Sequence, residues 1–162
     1  RGRGFGDAPG MSAGDAFPEV GELASINAYL GARPFVAALN AGADIVVTGR
    51  CVDSALTLAA ARHRFEWDTP GLLSAGSLAG HLVECGPQAT GGNFTDWQDA
   101  GDIAEIGYPI AEINADGSFE ITKPEGTAGV VSRATVAEHV LSEICDPQSY
   151  TLPGWAFRFY SE

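Results

Sequence analysis

Between Pro34 and Arg50 the chain is written as a helix, a stop, a short apolar run and a second stop. This order restricts the fold more than any other feature. Pro34 suits the first helical position, Phe35, Val36 and Leu39 fall on one side of the turn, and Gly42 ends the segment. Asp44 to Thr48, with Ile45, Val46 and Val47 in succession, then reads as a strand buried on both faces and bounded by Gly42 and Gly49. Helix, tight turn and buried strand predict an α/β fold with a largely parallel sheet and helices packed on it.

The rest of the chain extends this pattern. Asp53 stands where it could cap a helix whose apolar face is Ala55, Leu56, Ala59, Ala60 and His63, ending near Trp67. Thr69-Pro70 opens another helix with Leu72, Ala75, Leu78, Ala79, Leu82 and Val83 inward, and Gly86-Pro87 closes it. Ala115-Asp116-Gly117 separates two alternating runs and predicts a β-hairpin insertion over residues 108–122. Thr135 and Glu138 fit a capping box for a last helix carrying Val136, Val140, Leu141 and Ile144, which Asp146-Pro147 terminates. Residues 1–19 hold five glycines and two prolines and read as a flexible segment, residues 20–155 as the α/β domain, and 156–162 as a tail. The Gly-rich opening without an initiator Met and the abrupt end read as a piece of a larger α/β protein.

A chain of 162 residues with 45% hydrophobic and 19% charged residues has the means to bury a core. Its 21 acidic against 9 basic residues leave a charge of −12, which argues against a nucleic-acid or anionic-membrane partner. Cys51, Cys85 and Cys145 are far apart and form no CxxC pair, which favours a reduced, cytoplasmic protein over a disulfide or zinc-ribbon scaffold. No apolar run reaches the ~18 residues of a membrane span, and the opening carries no signal-peptide core.

Four constellations are candidates for chemistry. Thr48, Gly49, Arg50 and Asp53 follow the apolar run and precede a helix, where an anionic ligand meets free backbone N–H groups. Equally, Gly49 could simply turn the chain, with Arg50 pairing Asp53 or Asp44. Gln88, Thr90, Gly91, Gly92 and Asn93 form a polar glycine loop suited to holding a small molecule, the alternative being a tight structural turn. Lys123, Gly126 and Thr127 have the composition of an anion-cradling loop, though such loops also arise for geometry alone. His81, Glu84 and Cys85 share a helix face at i, i+3 and i+4. Acid–base work by His81 or Glu84 is the favoured use. A metal is not assigned, because no third ligand with matching spacing is visible. Gly76-Ser77-Leu78-Ala79-Gly80 matches G-x-S-x-G but falls inside a predicted helix, without the strand-to-helix elbow that motif needs. His63 and His139 stand on helices without clustered partners.

Six ordered motifs between about Ser25 and Tyr150 closely resemble the acyclic terpene utilisation (AtuA-type) family. They are 28–32 (Ala-Tyr-Leu-Gly-Ala), 43–50 (Ala-Asp-Ile-Val-Val-Thr-Gly-Arg), 79–86 (Ala-Gly-His-Leu-Val-Glu-Cys-Gly), 88–94 (Gln-Ala-Thr-Gly-Gly-Asn-Phe), 107–112 (Gly-Tyr-Pro-Ile-Ala-Glu) and 121–124 (Ile-Thr-Lys-Pro). The resemblance implies a protein of acyclic terpenoid breakdown through acyl-CoA intermediates, of unsettled reaction and cofactor. It also implies a longer family chain with a further Gly-rich α/β segment ahead of this part. Two residues depart from the family pattern: Ala128 replaces a glycine, and Glu66 stands where a glycine is expected before Trp67.

Two functions follow as expectations. The first is an enzyme acting on a terpenoid or branched acyl-CoA, with Arg50 and Lys123 binding anionic groups, the Thr90–Asn93 loop positioning the acyl group, and His81 or Glu84 moving protons. The second is a non-catalytic ligand-binding or assembly subunit of the same pathway. The partners expected are a small-molecule ligand, such as an acyl-CoA, and a second copy or a pathway subunit.

Overall fold

The computed structural model describes residues 18–144, 146, 149–153 and 155–158. Among them, four α-helices carry the framework: α1 (Arg33–Asn40), α2 (Ala55–Phe65), α3 (Pro70–Glu84) and α4 (Arg133–Glu143). Pro34 and Pro70 lie in the first turns of α1 and α3, where a missing N–H costs nothing. Short 3-10 turns at Val20–Glu22, Gly86–Gln88, Trp97–Ala100 and Ile103–Glu105 connect them.

α2 and α3 form the central pair. Leu58 of α2 and Trp67 press on Gly76, and Gly80 meets the backbone of Ser54; a Cβ built on Gly80 would lie 2.7 Å from the Ser54 carbonyl oxygen. Glycine at both positions therefore sets how closely the two helices approach. Phe35 from α1, Ala55, Leu58 and Ala59 from α2, and Leu73 from α3 make the apolar cluster at one end. Burying a side chain such as Leu58 is worth roughly 1.5–3 kcal/mol. The face of α3 is rotated slightly from expectation. Leu73, Gly76, Ser77, Ala79, Gly80, His81 and Leu82 are buried, while Leu72, Ala75, Leu78 and Val83 are only half-buried. Ser77 donates its hydroxyl to the Leu73 carbonyl at 2.8 Å, a helix-interior role with no elbow.

Among the described residues the expected parallel sheet is not there. Strands β1 (Ile110–Ile113) and β2 (Phe119–Thr122) form an antiparallel hairpin, and β3 (Tyr150–Leu152) and β4 (Trp155–Phe157) form a second one. Parallel pairing among the described residues is confined to single bridges, Leu30 with Cys51 and Ile106 with Ala128. Residues 44–48 form no ladder, and Ile45 and Val47 are 83% and 92% exposed. A strand apolar on both faces is stable only between neighbouring strands that satisfy its N–H and C=O groups and cover it. Here the bridge nearest in the chain, Leu30 with Cys51, lies beyond residues 44–48.

The hairpin between residues 108 and 122 is present, with Ile110 opposite Thr122 and Ile113 opposite Phe119. Trp67 anchors it by donating its indole N–H to the Ala115 carbonyl at 2.9 Å. Helix α4 begins one turn earlier than a Thr135–Glu138 box implies. The capping pair is Ser132 and Thr135, each side chain bonded to the other's backbone. Glu138 instead accepts from the Thr95 N–H at 3.0 Å and its hydroxyl at 2.6 Å. Likewise Ser54, not Asp53, is the residue before α2.

Both family departures have a conformational outcome. Glu66 ends α2 at φ 57° and is the one described non-glycine residue in the left-handed region, so a glycine would be unstrained there. Ala128 has no such φ, and its methyl is accommodated while it bridges Ile106. The tail expected from 156 is described only to residue 158, and its first two residues belong to β4. Residues 1–17 of the Gly/Pro-rich opening, and Cys145, lie outside the described residues.

Candidate functional site

Helix α3 ends on His81, Glu84 and Cys85, and the crossing at Gly80 puts the last turn of α3 next to the start of α2. Helix α4 brings His139 and Glu143 alongside, and β3 adds Tyr150. One ligand-capable atom each of His81, Glu84 and Glu143 lie within 4.8 Å of one another. The Cys85 thiol lies 2.6 Å from Oε1 of Glu84, to which it donates, and 3.6 Å from Oε1 of Glu143. His81 is the floor of this centre, with 2% of its surface exposed; Glu84, Cys85 and Glu143 are half-buried around it.

The imidazole of His81 is held on one side only. Its Nε2 lies 2.8 Å from the Tyr150 hydroxyl, and the two rings pack edge to face. Its Nδ1 is buried and meets no hydrogen-bond partner among the described residues. The His81 carbonyl accepts from Nε2 of His139 at 2.7 Å, and Nδ1 of His139 faces Oε1 of Gln88 at 3.0 Å. His139 is therefore a buried strut that ties α4 to the end of α3. Since a carbonyl only accepts, Nε2 of His139 carries its proton.

Burial sets the electrostatics. It lowers the proton affinity of His81, opposed by the negative charges of Glu143 and Asp53 and aided by His139. It raises that of Glu84, against the hydrogen bond from Cys85 and with further raising by Asp53 and Glu143. Burial, followed by the neighbouring carboxylates, pushes the Cys85 thiol up to about 12. Burial thus drives each group towards its neutral form.

The two glycine loops meet each other. The Val130 N–H donates to the Thr90 carbonyl at 2.9 Å, and the Gly129 N–H donates to Ala100 at 2.7 Å. Gly129 has φ +89° and sits tightly against Thr90, a conformation and a space that both ask for glycine. The buried Thr90 hydroxyl lies 2.6 Å from the Gly107 carbonyl and 2.9 Å from that of Pro87. Gly91 is buried; Gly92 and Asn93 are exposed. Lys123 turns back into its own loop, donating to the Thr127 carbonyl at 2.7 Å, and the Thr127 hydroxyl donates to Pro124. Gly126 is exposed at φ +79°. Gln88 links this loop pair to the His81 centre through His139.

The Thr48–Asp53 constellation lies on the exposed side. Thr48, Gly49 and Arg50 are all exposed. The Arg50 guanidinium stacks 4.9 Å over the Tyr29 ring and reaches Asp53 at 3.8 Å. Tyr29, first through a hydrogen bond and then through its charge, raises the already high proton affinity of Arg50.

Sequence reasoning missed Glu143, Tyr150 and the role of His139. The spacing of His139 and Glu143, i and i+4 on α4, puts both on one face, but nothing along the chain says that this face meets α3, 58 positions away. His63, by contrast, bonds Asn40 at 2.7 Å in an exposed position. No helix among the described residues is long and apolar enough to cross a membrane.

A family model described as acyclic terpene utilisation family protein AtuA matches residues 6–161. No curated protein and no solved structure matches the chain.

Proposed function

The chain belongs to the acyclic terpene utilisation family AtuA, and from that premise we propose that it is a cytoplasmic enzyme acting on acyclic terpenoid or branched acyl-CoA compounds. The observation that carries the catalytic part is the convergence of buried His81 with Glu84 and Glu143. In this reading the centre moves a proton to or from the reacting acyl group. The Gln88–Asn93 loop, joined to the centre through His139, positions that group. The exposed Arg50, beside Asp53 and the Thr48-Gly49 turn, is the cation offered to the phosphates of coenzyme A. Lys123, with Gly126 and Thr127, meets an anion through the ammonium N–H that its bond to the Thr127 carbonyl leaves over.

A second reading, a ligand-binding or assembly subunit of the same pathway, draws support from the exposed Ile45 and Val47, which suit contact with another protein.

The test is a thermal melt with geranyl-CoA, with free CoA as control. A ligand at ~100 times its Kd adds about 2.7 kcal/mol, which is several degrees for a chain of this size. A shift specific to the thioester is expected, and His81→Ala should keep the shift while losing turnover. No thioester-specific shift overturns the substrate assignment. Undiminished turnover in His81→Ala removes His81 from the chemistry.

A further inference from the structure

We propose that His81, Glu84 and Glu143 form a binding site for one borderline divalent cation of the zinc class. This goes beyond the reading above and does not depend on it.

Three observations converge. The ligand-capable atoms of the three side chains lie within 4.8 Å of one another. Around a tetrahedral zinc ion, bonds of about 2.0–2.2 Å put such atoms about 3.4 Å apart. The two glutamates are half-buried on the last turns of α3 and α4, and rotation of their side chains closes the difference. Second, His81 is 2% exposed and its Nδ1 has no hydrogen-bond partner among the described residues. A buried polar atom left unpaired has lost its hydration with nothing in exchange, so a native chain keeps one for a reason. Third, Nε2 of the same ring is held at 2.8 Å by Tyr150. That is the outer-shell arrangement that orients a metal-bound imidazole: the remote N–H donates and the other nitrogen keeps its lone pair for the ion.

Two carboxylates also crowd together here. Among the described residues no Lys or Arg is ion-paired to either, and the one salt bridge is Arg50 with Asp53. A cation would relieve that repulsion. One imidazole and two carboxylates leave a fourth position for water, the pattern of a catalytic rather than a structural zinc site. An imidazole among the ligands disfavours magnesium and calcium, which prefer oxygen throughout. Cys85 adjoins the site as a thiol hydrogen-bonded to Glu84. An ion there would be held by His81, Glu84 and Glu143 and would supply a bound water of lowered pKa.

The test uses the chain stripped of metal with a chelator, then dialysed separately against Zn2+, Co2+ and Mg2+ without any substrate. One Zn2+ per chain is expected, retained over Mg2+, with Co2+ giving the intense ligand-field spectrum of a four-coordinate ion. Glu143→Gln and His81→Ala should each abolish stoichiometric retention, and Tyr150→Phe should weaken it by about 10–100-fold. Cys85→Ser should leave it within a few-fold. Should the His81 variant fail to fold, Glu143→Gln and the cobalt spectrum of the unaltered chain decide. Substoichiometric zinc, an octahedral cobalt spectrum, or binding indifferent to Glu143→Gln would each overturn the site. Because no acyl-CoA is present, failure here leaves the proposed substrate untouched, and the thermal melt judges that separately.

Discussion

At the scale of single residues, the centre turns on one histidine. His81 and Glu84 were legible as a pair because three positions along one helix bring two side chains together whatever the fold. Which of them is buried, and what faces them from α4 and β3, depends on contacts between elements. The burial has a pH signature in the metal-free chain. Because burial lowers the proton affinity of His81 in the folded state, the unfolded chain takes up the proton first as pH falls. The stability contributed by neutral His81 is complete above the ordinary imidazole value of about 6.5 and is lost as pH falls through the lower folded value. Glu84 runs the other way. Its folded value is raised, so its contribution is complete below the ordinary carboxylate value and is lost as pH rises through the folded one. The His81 share is read by comparison: between about pH 8 and pH 5, His81→Asn should lose less stability in urea on the acid side than the unaltered chain does. An equally steep fall in the variant would assign the effect to other groups.

At the scale of elements, helix ends marked by proline and glycine were legible where side-chain caps were not. The Pro34 and Pro70 openings and the Gly42 and Gly86 stops all follow from backbone chemistry that acts within a few residues. Both predicted caps were misplaced, because Asp53, Ser54, Ser132 and Thr135 are all chemically competent and only the chain's path selects among them. Glu66 is the informative exception. It ends α2 in the left-handed region, which costs an L-residue roughly 1–2 kcal/mol, partly offset by the chain entropy that glycine loses. Glu66→Gly should therefore stabilise the chain by about 0.5–1 kcal/mol, visible as a Tm rise of a few degrees at most. An unchanged or lower Tm would mean that the Glu66 side chain offsets its own strain. Gly80→Ala tests the opposite effect. The added methyl meets the Ser54 backbone, which cannot rotate away, so a loss of about 1–3 kcal/mol is expected in urea unfolding. A neutral result would mean that α2 and α3 slide apart freely, and the neighbouring His81 centre would have to tolerate the shift.

At the scale of the whole molecule, the parallel sheet is the reading that failed, and Ile45-Val46-Val47 shows why. Three consecutive apolar, β-branched residues favour a buried strand, but burial on both faces is supplied by other parts of a sheet and not by the run itself. In this chain Val47 is 92% exposed. Val47→Lys should accordingly change stability by no more than about 0.5 kcal/mol, as at an ordinary surface position. A loss of several kcal/mol in chemical denaturation would restore the buried strand. By itself the sequence determined the helices, a hairpin within residues 108–122, the family and one helix turn of reactive side chains. All of these rest on interactions within a few residues or on motifs read in order. Only the tertiary structure decided that the described residues form no parallel sheet, that the two glycine loops meet, and that Glu143, His139 and Tyr150 gather on His81. Those outcomes come from packing between segments tens of positions apart, where chain spacing carries no information about distance.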